Sequence, residues 1–282
     1  MGGALAIGLS AAGYTVENLF YRSVLHDELL GDAALATAAR KIEEAGRVGS
    51  DIVLITTSDT QVETAIRTFA PLLKSTAVVL HTSGSLSSVA LAAAAENGNP
   101  TGSMHPLVSV SSPAIGAARF KGAFFCIEGD EAAIMASEEI VRSLGGRPFS
   151  IATNFKPLYH ASAVLASGHV VALFQAARET LTACGVDAGF AHEVLLPLVE
   201  STIKNLSEQS PEAALTGPFA RADFGTIERH LDAFERAAME RHERIYLELG
   251  SIALELAERS NAPHSELEQI RERIKLALAP AK

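Results

Sequence analysis

The stretch Asp51-Ile52-Val53-Leu54-Ile55-Thr56-Thr57-Ser58-Asp59-Thr60 decides the fold class of this chain. Its first half is continuously apolar and lacks the alternation of a strand that faces water on one side. Such a run is typical of a parallel strand covered on both faces, and the small polar residues after it mark the start of a helix. Ala77-Val78-Val79-Leu80-His81 repeats the apolar pattern. Two strands of this kind predict a parallel sheet packed between helices.

Further strands are predicted on both sides of this stretch, and helical segments separate most of them. The six candidate strands are Thr15–Tyr21, Asp51–Thr56, Ala77–His81, Gly102–Leu107, Ala123–Glu128 and Arg147–Ile151. The helical segments between them include Thr60–Leu73, Leu86–Glu96 and Glu131–Leu144. Because strand–helix alternation favours a doubly wound α/β sheet, we expect residues 1–152 to form a Rossmann-like domain that binds a dinucleotide.

The sequence changes character after Phe155. No plausible strand follows, and three long segments have helical periodicity: Lys156–Cys184, Ala188–Glu208 and Gly225–Ser260. Residues 153–282 are therefore predicted to form an all-helical C-terminal domain. The long apolar faces of its helices favour dimerisation, so we expect a homodimer that forms through this domain.

The composition of the 282-residue chain excludes several classes of protein. Its net charge is −10 and it has no basic cluster, which argues against nucleic-acid binding. We find no apolar run long enough to span a membrane, and no signal peptide. Cys126 and Cys184 form no CxxC pair, and the histidines have no metal-binding spacing. We therefore expect a cytoplasmic protein with no metal site and with neither nucleic acid nor membrane as a partner.

The first residues, Met1-Gly2-Gly3, have the small side chains of the second half of a dinucleotide-binding turn. In the complete motif, an apolar strand and further glycines precede a helix whose N-terminus binds the pyrophosphate. Here a helical run follows at once, so the first strand of the predicted sheet is missing. We expect that Gly2 and Gly3 are the remnant of this turn and that the natural chain begins upstream. Cofactor binding without the missing strand is then weak or absent. The alternative is that both glycines belong to a flexible terminus.

The strand ends that follow carry candidate cofactor-binding residues, because open α/β sheets bind ligands at the carboxyl ends of their strands. The second strand ends in Arg22 and Ser23, and an arginine there favours the 2′-phosphate of NADP over NAD. A solvated arginine is the alternative. Thr57 and Ser58 follow the next strand and let a nucleotide approach closely, although helix capping would also explain them.

The next two strand ends add hydroxyl and imidazole groups at the same edge of the sheet. The segments are His81-Thr82-Ser83-Gly84-Ser85 and Gly102-Ser103-Met104-His105. If the predicted topology is right, Ser83, Ser103 and both histidines converge there. A histidine can donate a proton to a carbonyl oxygen during hydride transfer, so His105 is a candidate catalytic residue. A structural role for each histidine is the alternative.

Two segments of the helical domain carry further candidates. Lys156 and His160 lie four residues apart at the start of a helix and share one face, and Ser167 continues the polar character into an otherwise apolar helix. This pattern indicates a face on an interdomain cleft; a solvated helix start is the alternative for Lys156. Arg221 can bind a substrate carboxylate through two hydrogen bonds, or it can pair with Asp223 to hold its own loop.

Four segments together resemble one family. They are HTSGS (81–85), GSMHPLVS (102–109), KPLYHASAVLASGH (156–169) and LTGPFARAD (215–223). The family consists of Rossmann-like oxidoreductases with a C-terminal helical domain of unknown function, DUF2520. It is more distantly similar to 6-phosphogluconate dehydrogenase-like and pyrroline-5-carboxylate reductase-like enzymes. The resemblance covers essentially the whole chain, and it implies an NADP-binding domain and a helical dimerisation domain with the active site between them.

The resemblance also implies roles for particular residues. Lys156 and His160 match the catalytic lysine and the polar partner one helical turn later in 6-phosphogluconate dehydrogenase-like enzymes. His160 stands where those enzymes often have asparagine, and Ser167-Gly168-His169 departs from an expected Ser-Asn pair. The positions that would contact the cofactor are Gly2 and Gly3 at the phosphates, Arg22 and Ser23 at the 2′-phosphate, and Ser83 and Ser103 at the nicotinamide.

Residues and resemblance together predict an NADPH-dependent reductase that transfers a hydride to a small carbonyl compound. Some relatives reduce the 2-oxo acid ketopantoate, so a substrate of this class is expected. Lys156 or His160 would donate the proton, and Arg221 and Ser167 would contact the substrate. Two alternatives remain open: a non-catalytic NADP-binding sensor or scaffold, and a dehydrogenase of a phosphorylated sugar acid.

Overall fold

The computed structural model describes residues 1–260 and 262–279, and it divides the chain into two compact units, Met1–Gly168 and His169–Lys282. This division differs from the boundary predicted at residue 152. The helix that begins at Lys156 belongs to the first unit, because the Lys156 side chain is fully buried there and donates a hydrogen bond to the Ser83 carbonyl. Lysine at a helix start is usually solvated, so this contact could not be predicted from the sequence.

Seven short strands lie in the first unit, six of them at the predicted positions. They are β1 (Leu19–Tyr21), β2 (Ala39–Lys41), β3 (Ile52–Ile55), β4 (Val78–His81), β5 (Thr101–Pro106), β6 (Phe124–Gly129) and β7 (Arg147–Ser150). Strands β3 to β7 form one sheet in chain order, parallel except for the antiparallel pair β5–β6. The unpredicted strand β2 pairs with β1 alone, and Ala39-Arg40-Lys41 contains no residue with high strand propensity.

Helices cover both faces of the five-stranded sheet. The α-helices of the first unit are α1 (Gly2–Ala11), α2 (Asp27–Leu30), α3 (Ala33–Ala38), α4 (Asp59–Phe69), α5 (Ala92–Glu96), α6 (Pro113–Ala118), α7 (Glu131–Ser143) and α8 (Lys156–Ala166). Val79 and Leu80 are consecutive in β4 and both are fully buried. Val79 packs in the cluster of α4, whereas Leu80 packs in the cluster of α1 and α7. Since successive strand side chains point to opposite faces, the predicted doubly wound fold is confirmed.

The two sheets of the first unit do not join. Strand β1 pairs only with β2, and β3 pairs on one edge only, with β4. A cavity of about 510 Å³ is lined by side chains of both strands, including Phe20 and Val53, and by Leu5 and Leu9 of α1. The cavity therefore lies beside both sheets.

The second unit is helical throughout the residues that the structure describes. Its helices are α9 (Gly168–Ala183), α10 (Ala188–Glu208), α11 (Pro211–Ala214), α12 (Gly217–Ala220), α13 (Phe224–Arg236), α14 (Glu240–Arg259) and α15 (His264–Leu278). Helices α12 to α15 bury a common apolar cluster that includes Ile227, Leu247 and Ile270. The predicted helix 225–260 is divided in two, because Ala238 adopts the left-handed conformation with φ of 50°.

Helices α9 and α10 contribute almost nothing to this core. No residue of α9 is buried, and Ala191 is the only buried residue of α10. Val171 of α9 is 70% exposed and Leu198 of α10 is 62% exposed. A largely apolar cavity of about 650 Å³ lies in the same unit, lined by residues of α9, α13 and α14 and by Leu195 of α10. The second unit therefore presents a large apolar surface.

Residues 153–183 are long and apolar enough to cross a membrane by length and composition alone, with a mean hydropathy of 1.3. From the sequence, no apolar run long enough to span a membrane was predicted. The structure does not form it as one continuous helix: α8 ends at Ala166, and Ser167 has φ of −130° and ψ of −79°. The stretch also begins beside Lys156, whose buried ammonium group binds the Ser83 carbonyl.

Candidate functional site

The candidate site lies at the carboxyl ends of β4 and β5, where the start of α8 covers them. Three elements meet there: the loop after β4, the end of β5 and the first turns of α8. The Lys156 ammonium group joins the loop to α8 by donating to the Ser83 carbonyl over 3.1 Å. We refer to this group of residues as the rim site; its members are Ser83, Gly84, His105, Lys156, Tyr159 and His160.

Gly84 is the point on which both histidine rings converge. A Cβ atom at Gly84 would lie 2.9 Å from Nε2 of His105 and would overlap Nδ1 of His160. The two rings stand edge to face, with their centroids 5.7 Å apart. Only glycine leaves both imidazoles in place, so the residue at this position fixes the geometry of the pair.

His105 is an uncharged group at neutral pH. Burial lowers its pKa to about 4, and the neighbouring Lys156 and His160 act in the same direction. Its Nδ1 atom lies 2.7 Å from the hydroxyl of Tyr159. A neutral imidazole can donate one hydrogen bond from the nitrogen that carries its proton, but it is a poor source of a full proton.

His160 differs from His105 because one of its nitrogens is enclosed without a partner. Its Nδ1 atom is buried, and no described residue donates to it or accepts from it. A proton on Nδ1 would thus lack an acceptor, which costs about 1–3 kcal/mol for a buried donor. We therefore place the proton on Nε2, the nitrogen on the open side of the ring.

Lys156 is fully buried, in contrast to the solvated helix start that was the alternative. Burial lowers the pKa of its ammonium group, and the nearby Cys126, Glu128 and Asp59 oppose this effect. The group also lies over the ring of Tyr159, 5.5 Å from its centroid. These contacts hold the loop after β4 against α8 and place a positive charge behind the histidines. The predicted role of Lys156 as proton donor stays a prediction.

The loop after β4 is held by its own hydrogen bonds. Nε2 of His81 bonds the Ser87 carbonyl over 3.0 Å, and its Nδ1 accepts from the Ser83 amide over 3.2 Å. Both nitrogens are used, so His81 has the structural role that was the alternative. The Ser83 hydroxyl accepts from the amide of Leu86 over 2.9 Å. Ser103 is fully buried in β5, and its hydroxyl has no partner among the described residues. Cofactor contacts by Ser83 and Ser103 stay predictions.

Asp59 adds a negative charge beside this loop. Its carboxylate accepts a hydrogen bond from the Ser85 hydroxyl over 2.6 Å. Partial burial raises its pKa, but the hydrogen bonds from Ser85 and Ser83 and the nearby histidines outweigh this, so the pKa lies below its ordinary value. The carboxylate therefore stays ionised and balances part of the charge of Lys156.

Three of the predicted cofactor-binding residues line one cavity. Gly2, Arg22 and Thr57 all belong to the wall of the 510 Å³ cavity beside β1 and β3. A Cβ at Gly2 would overlap the Thr56 hydroxyl, so α1 begins directly against the end of β3. The Arg22 guanidinium donates to the Gln61 side chain over 2.9 Å.

The other predicted residues lie apart from that cavity wall. Gly3 packs against Pro113, and Ser23 is exposed after β1. Ser58 precedes α4, yet its side chain makes no capping hydrogen bond and contacts Thr60 instead. Their roles in cofactor binding stay predictions.

The two residues predicted to contact the substrate are Ser167 and Arg221, and the structure shows few contacts for either side chain. The Ser167 hydroxyl donates to the Ala163 carbonyl over 2.7 Å at the end of α8. Arg221 lies in the second unit, exposed at the end of α12, and its side chain pairs with no described residue. Asp223 does not pair with Arg221 but caps α13 by accepting from the Thr226 amide. Substrate binding by Ser167 and Arg221 stays a prediction.

Sequence reasoning missed two members of the rim site, Gly84 and Tyr159. Both lie inside segments that the sequence analysis had singled out, and both are adjacent to predicted site residues. Their roles depend on contacts between β5 and α8, so the sequence alone carries no signal beyond this adjacency.

Known proteins resemble this chain in one domain and in its fold. Residues 123–252 match the family model described as "Domain of unknown function (DUF2520)". No curated protein sequence matches the chain. Among solved structures, TM1727 from Thermotoga maritima is similar with a TM-score of 0.69 and 24% identity, covering 86% of this chain and 90% of that one.

Two further solved structures have the same fold. BF3122 from Bacteroides fragilis has a TM-score of 0.68 and 21% identity, covering 90% of this chain and 93% of that one. Pyrroline carboxylate reductase from Plasmodium falciparum, with NADP bound, has a TM-score of 0.54 and 14% identity over the same shares of the two chains. The matched domain includes α8 and hence three of the six residues of the rim site. Residues 123–252 thus match the DUF2520 domain model, and the chain has the fold of these solved structures, a Rossmann-like domain followed by a C-terminal helical region.

Proposed function

We propose that this protein is an NADPH-dependent reductase that transfers a hydride to a small carbonyl compound. The observation that carries the proposal is the pair of histidines converging on Gly84 at the carboxyl ends of β4 and β5. Ligands of open α/β sheets bind at this edge. Nε2 of His105 and Nε2 of His160 have no hydrogen-bond partner among the described residues, so either can donate to a carbonyl oxygen during its reduction.

Three side chains have separate proposed roles around the carbonyl group. His105 would hold the carbonyl oxygen by a hydrogen bond from its neutral ring. The proton would come from the Lys156 ammonium, which becomes a neutral amine, or from His160 in its doubly protonated form, which becomes a neutral imidazole. Lys156 holds the loop of Ser83 and Gly84 in place and disfavours a charge on His105. A small 2-oxo acid such as ketopantoate is the proposed substrate, and Arg221, which pairs with no described residue, remains the candidate that the sequence offers for a carboxylate.

The residues around the 510 Å³ cavity fit a dinucleotide. Arg22 has one neutral partner, Gln61, so its positive charge is not balanced by a carboxylate and is available to a 2′-phosphate. Gly2 lies at the N-terminus of α1, where free backbone amides favour an anion. Gly2, Arg22 and Thr57 would hold the cofactor, which supplies the hydride when bound. NADP is proposed over NAD because of Arg22.

A turnover assay tests the proposal directly. NADPH oxidation is measured against a panel of small 2-oxo acids that includes ketopantoate, with His160→Ala and Lys156→Ala as variants. We expect turnover with at least one 2-oxo acid and its loss in His160→Ala. NADPH binding without turnover would favour the sensor or scaffold instead. NADP reduction by a phosphorylated sugar acid would favour the dehydrogenase of such a compound.

The proposed choice of cofactor has its own test. Arg22→Ala should weaken NADPH binding by roughly 10- to 100-fold, because a charge-assisted contact to a phosphate is lost, and should leave NADH binding unchanged. The exposed Arg67→Ala on α4 is the control. Equal effects of Arg22→Ala on both cofactors would contradict the assignment.

We also propose that the protein acts in the cytoplasm as a homodimer. The apolar surfaces of α9 and α10 and the 650 Å³ cavity lie in one unit, so two copies can cover each other's apolar surface. Neither nucleic acid nor a membrane is proposed as a partner.

A further inference from the structure

The position of Tyr159 is set by a row of side chains that crosses three strands. His105 of β5 is the direct register partner of Cys126 in β6, and Cys126 is the partner of Phe149 in β7. Residues paired in this way point to the same face of a sheet. The ring of Tyr159 lies on this row, edge to face with His105 at 5.7 Å and with Phe149 at 6.0 Å.

The Tyr159 hydroxyl reaches His105 from this position. The oxygen lies 2.7 Å from Nδ1 of His105, the usual distance of a strong hydrogen bond. Tyr159 is half-buried, and a phenol in such a position usually donates its proton to an acceptor. The Lys156 ammonium near its ring can only donate, and the thiol of Cys126 is a weak acceptor. Nδ1 is therefore the strong acceptor next to the hydroxyl.

The ionisation of both groups agrees with this direction of the bond. Burial raises the pKa of Tyr159 well above its ordinary value, and the neighbouring Cys126 adds to this effect. The phenol thus keeps its proton, and His105 is neutral. The titratable groups that act on His105 are Lys156 and His160 of α8, Asp59 of α4 and His81 of β4, and three of the four disfavour its protonation.

We infer that Tyr159 is a positioning residue that donates a hydrogen bond to Nδ1 of His105 and so fixes the imidazole as the tautomer with its proton on Nε2. That nitrogen is the one that faces Gly84. The neutral ring consequently presents a donor, and not a lone pair, to the rim site. The ring is also held in one orientation, because the bond and the edge-to-face contact act together.

The consequence for catalysis rests on the proposed function. An Nε2–H group attracts a carbonyl oxygen, whereas a lone pair at the same place repels it. Without the Tyr159 hydroxyl, His105 is free to carry its proton on either nitrogen, and only part of the molecules would offer a donor. The loss should therefore appear in kcat, as charge develops on the oxygen, more than in KM.

The tautomer can be read without any assay of activity. Long-range ¹H–¹⁵N correlation spectra of uniformly ¹⁵N-labelled protein distinguish Nε2–H, Nδ1–H and charged imidazoles, and His105→Gln identifies the signals of His105. In the unmodified protein at pH 7 we expect the Nε2–H pattern. An Nδ1–H pattern, or a charged ring at pH 7, would overturn the inference.

Tyr159→Phe removes the hydroxyl and keeps the ring packed on its row. The chain offers a matched control: Tyr246 places its hydroxyl 2.8 Å from Nδ1 of His230 in the second unit. Tyr159→Phe should convert the His105 signals to a mixture of tautomers, whereas Tyr246→Phe should leave them unchanged. If the Nε2–H pattern of His105 persists in Tyr159→Phe, Tyr159 does not set the tautomer.

Kinetics then separate this inference from the proposed function. Tyr159→Phe should lower kcat with the best 2-oxo acid by roughly 10- to 100-fold while KM changes little. An Nε2–H tautomer in a protein without reductase activity would uphold the role of Tyr159 and reject the proposed function. Full activity in Tyr159→Phe, in spite of a changed tautomer, would show that the tautomer does not matter for the reaction.

Discussion

Gly84 is the residue on which the arrangement of both histidines depends. The Cβ of alanine at this position would overlap Nδ1 of His160 and would lie 2.9 Å from Nε2 of His105. Gly84→Ala should therefore push both rings from their places. We expect kcat/KM to fall by roughly 100-fold, as a displacement of about 1 Å does in other active sites. Overpacking should also lower the free energy of unfolding by about 1–3 kcal/mol.

Gly46 provides the matched control for this prediction. No atom lies within 4 Å of a Cβ built there, so Gly46→Ala should change neither turnover nor stability appreciably. Steady-state kinetics and urea unfolding of both variants give the comparison. Normal turnover in Gly84→Ala would mean that the two rings do not act at the substrate in the observed arrangement.

His105 should make the stability of the protein depend on pH. Its pKa is about 4 in the folded chain, against 6.5 when it is exposed. Between these values the unfolded chain binds more protons, so the free energy of unfolding rises with pH and this contribution is fully present above pH 6.5. The shift corresponds to roughly 3 kcal/mol, lost progressively as the pH falls toward 4. His81 acts in the same direction, because burial lowers its pKa too.

Urea unfolding at several pH values between 4 and 7 measures this contribution. His105→Gln should flatten the rise in the free energy of unfolding, whereas His26→Gln, at an exposed position before α2, should leave the slope as it is. Equal slopes in the protein and in His105→Gln would show that His105 takes up its proton in the folded state as easily as in the unfolded one.

At the scale of elements, the antiparallel pair β5–β6 depends on a glycine. Gly129 ends β6 with φ of 135° and stands opposite Gly102 of β5. A Cβ at Gly129 would lie 2.5 Å from the Cα of Gly102 and would overlap the Thr101 carbonyl oxygen. These are backbone atoms, so they cannot yield without disturbing the strand pair. Gly129→Ala should lower the free energy of unfolding by roughly 3 kcal/mol or more.

Gly122→Ala separates the conformational cost from the clash. Gly122 also has a positive φ, 79°, but a Cβ there would meet no atom within 4 Å. Its replacement should cost only about 1–2 kcal/mol, the strain of a left-handed residue other than glycine. Equal losses in the two variants, measured by urea unfolding, would show that the approach of the strands at Gly129 contributes nothing.

The way in which each element is held in the fold explains whether it could be predicted from the sequence. Strands β3 and β4 pack against apolar clusters on both faces, which requires continuous apolar runs, and the sequence contains them. Strand β2 is held by backbone pairing with β1, so Ala39-Arg40-Lys41 needs no such pattern. The break between α8 and α9 at Ser167 was missed because the apolar residues continue across it.

Part of the rim site follows from the strand order and could be predicted, whereas the part that depends on how α8 packs could not. Strand order and the carboxyl-end rule were enough to bring Ser83 and His105 to one edge. The burial of Lys156 was not predictable, because it depends on where α8 packs and on a single backbone carbonyl. The role of Tyr159 depends on the register of three strands, which no local pattern encodes.

At the scale of the whole molecule, the apolar surface of the second unit is the basis of the proposed homodimer. Single apolar residues on a surface are common, but α9 and α10 leave nearly every side chain outside the core. A monomer would expose all of this surface to water. The proposed homodimer covers it with the equivalent surface of a second copy, since a two-fold interface uses the same patch twice.

Leu198→Glu tests the proposed dimer, because it introduces a charge into the apolar surface of α10 at a position that is 62% exposed in the single chain. The substitution should leave the isolated unit folded and should raise the dimer dissociation constant by roughly 100-fold or more, since burial of an unpaired carboxylate is costly. Sedimentation velocity across a range of protein concentrations measures this change. Leu276→Glu is the control, because Leu276 is 73% exposed on α15, outside this surface. A dimer that tolerates both substitutions equally would have to form through some other face, and a monomeric unmodified protein would reject the proposal.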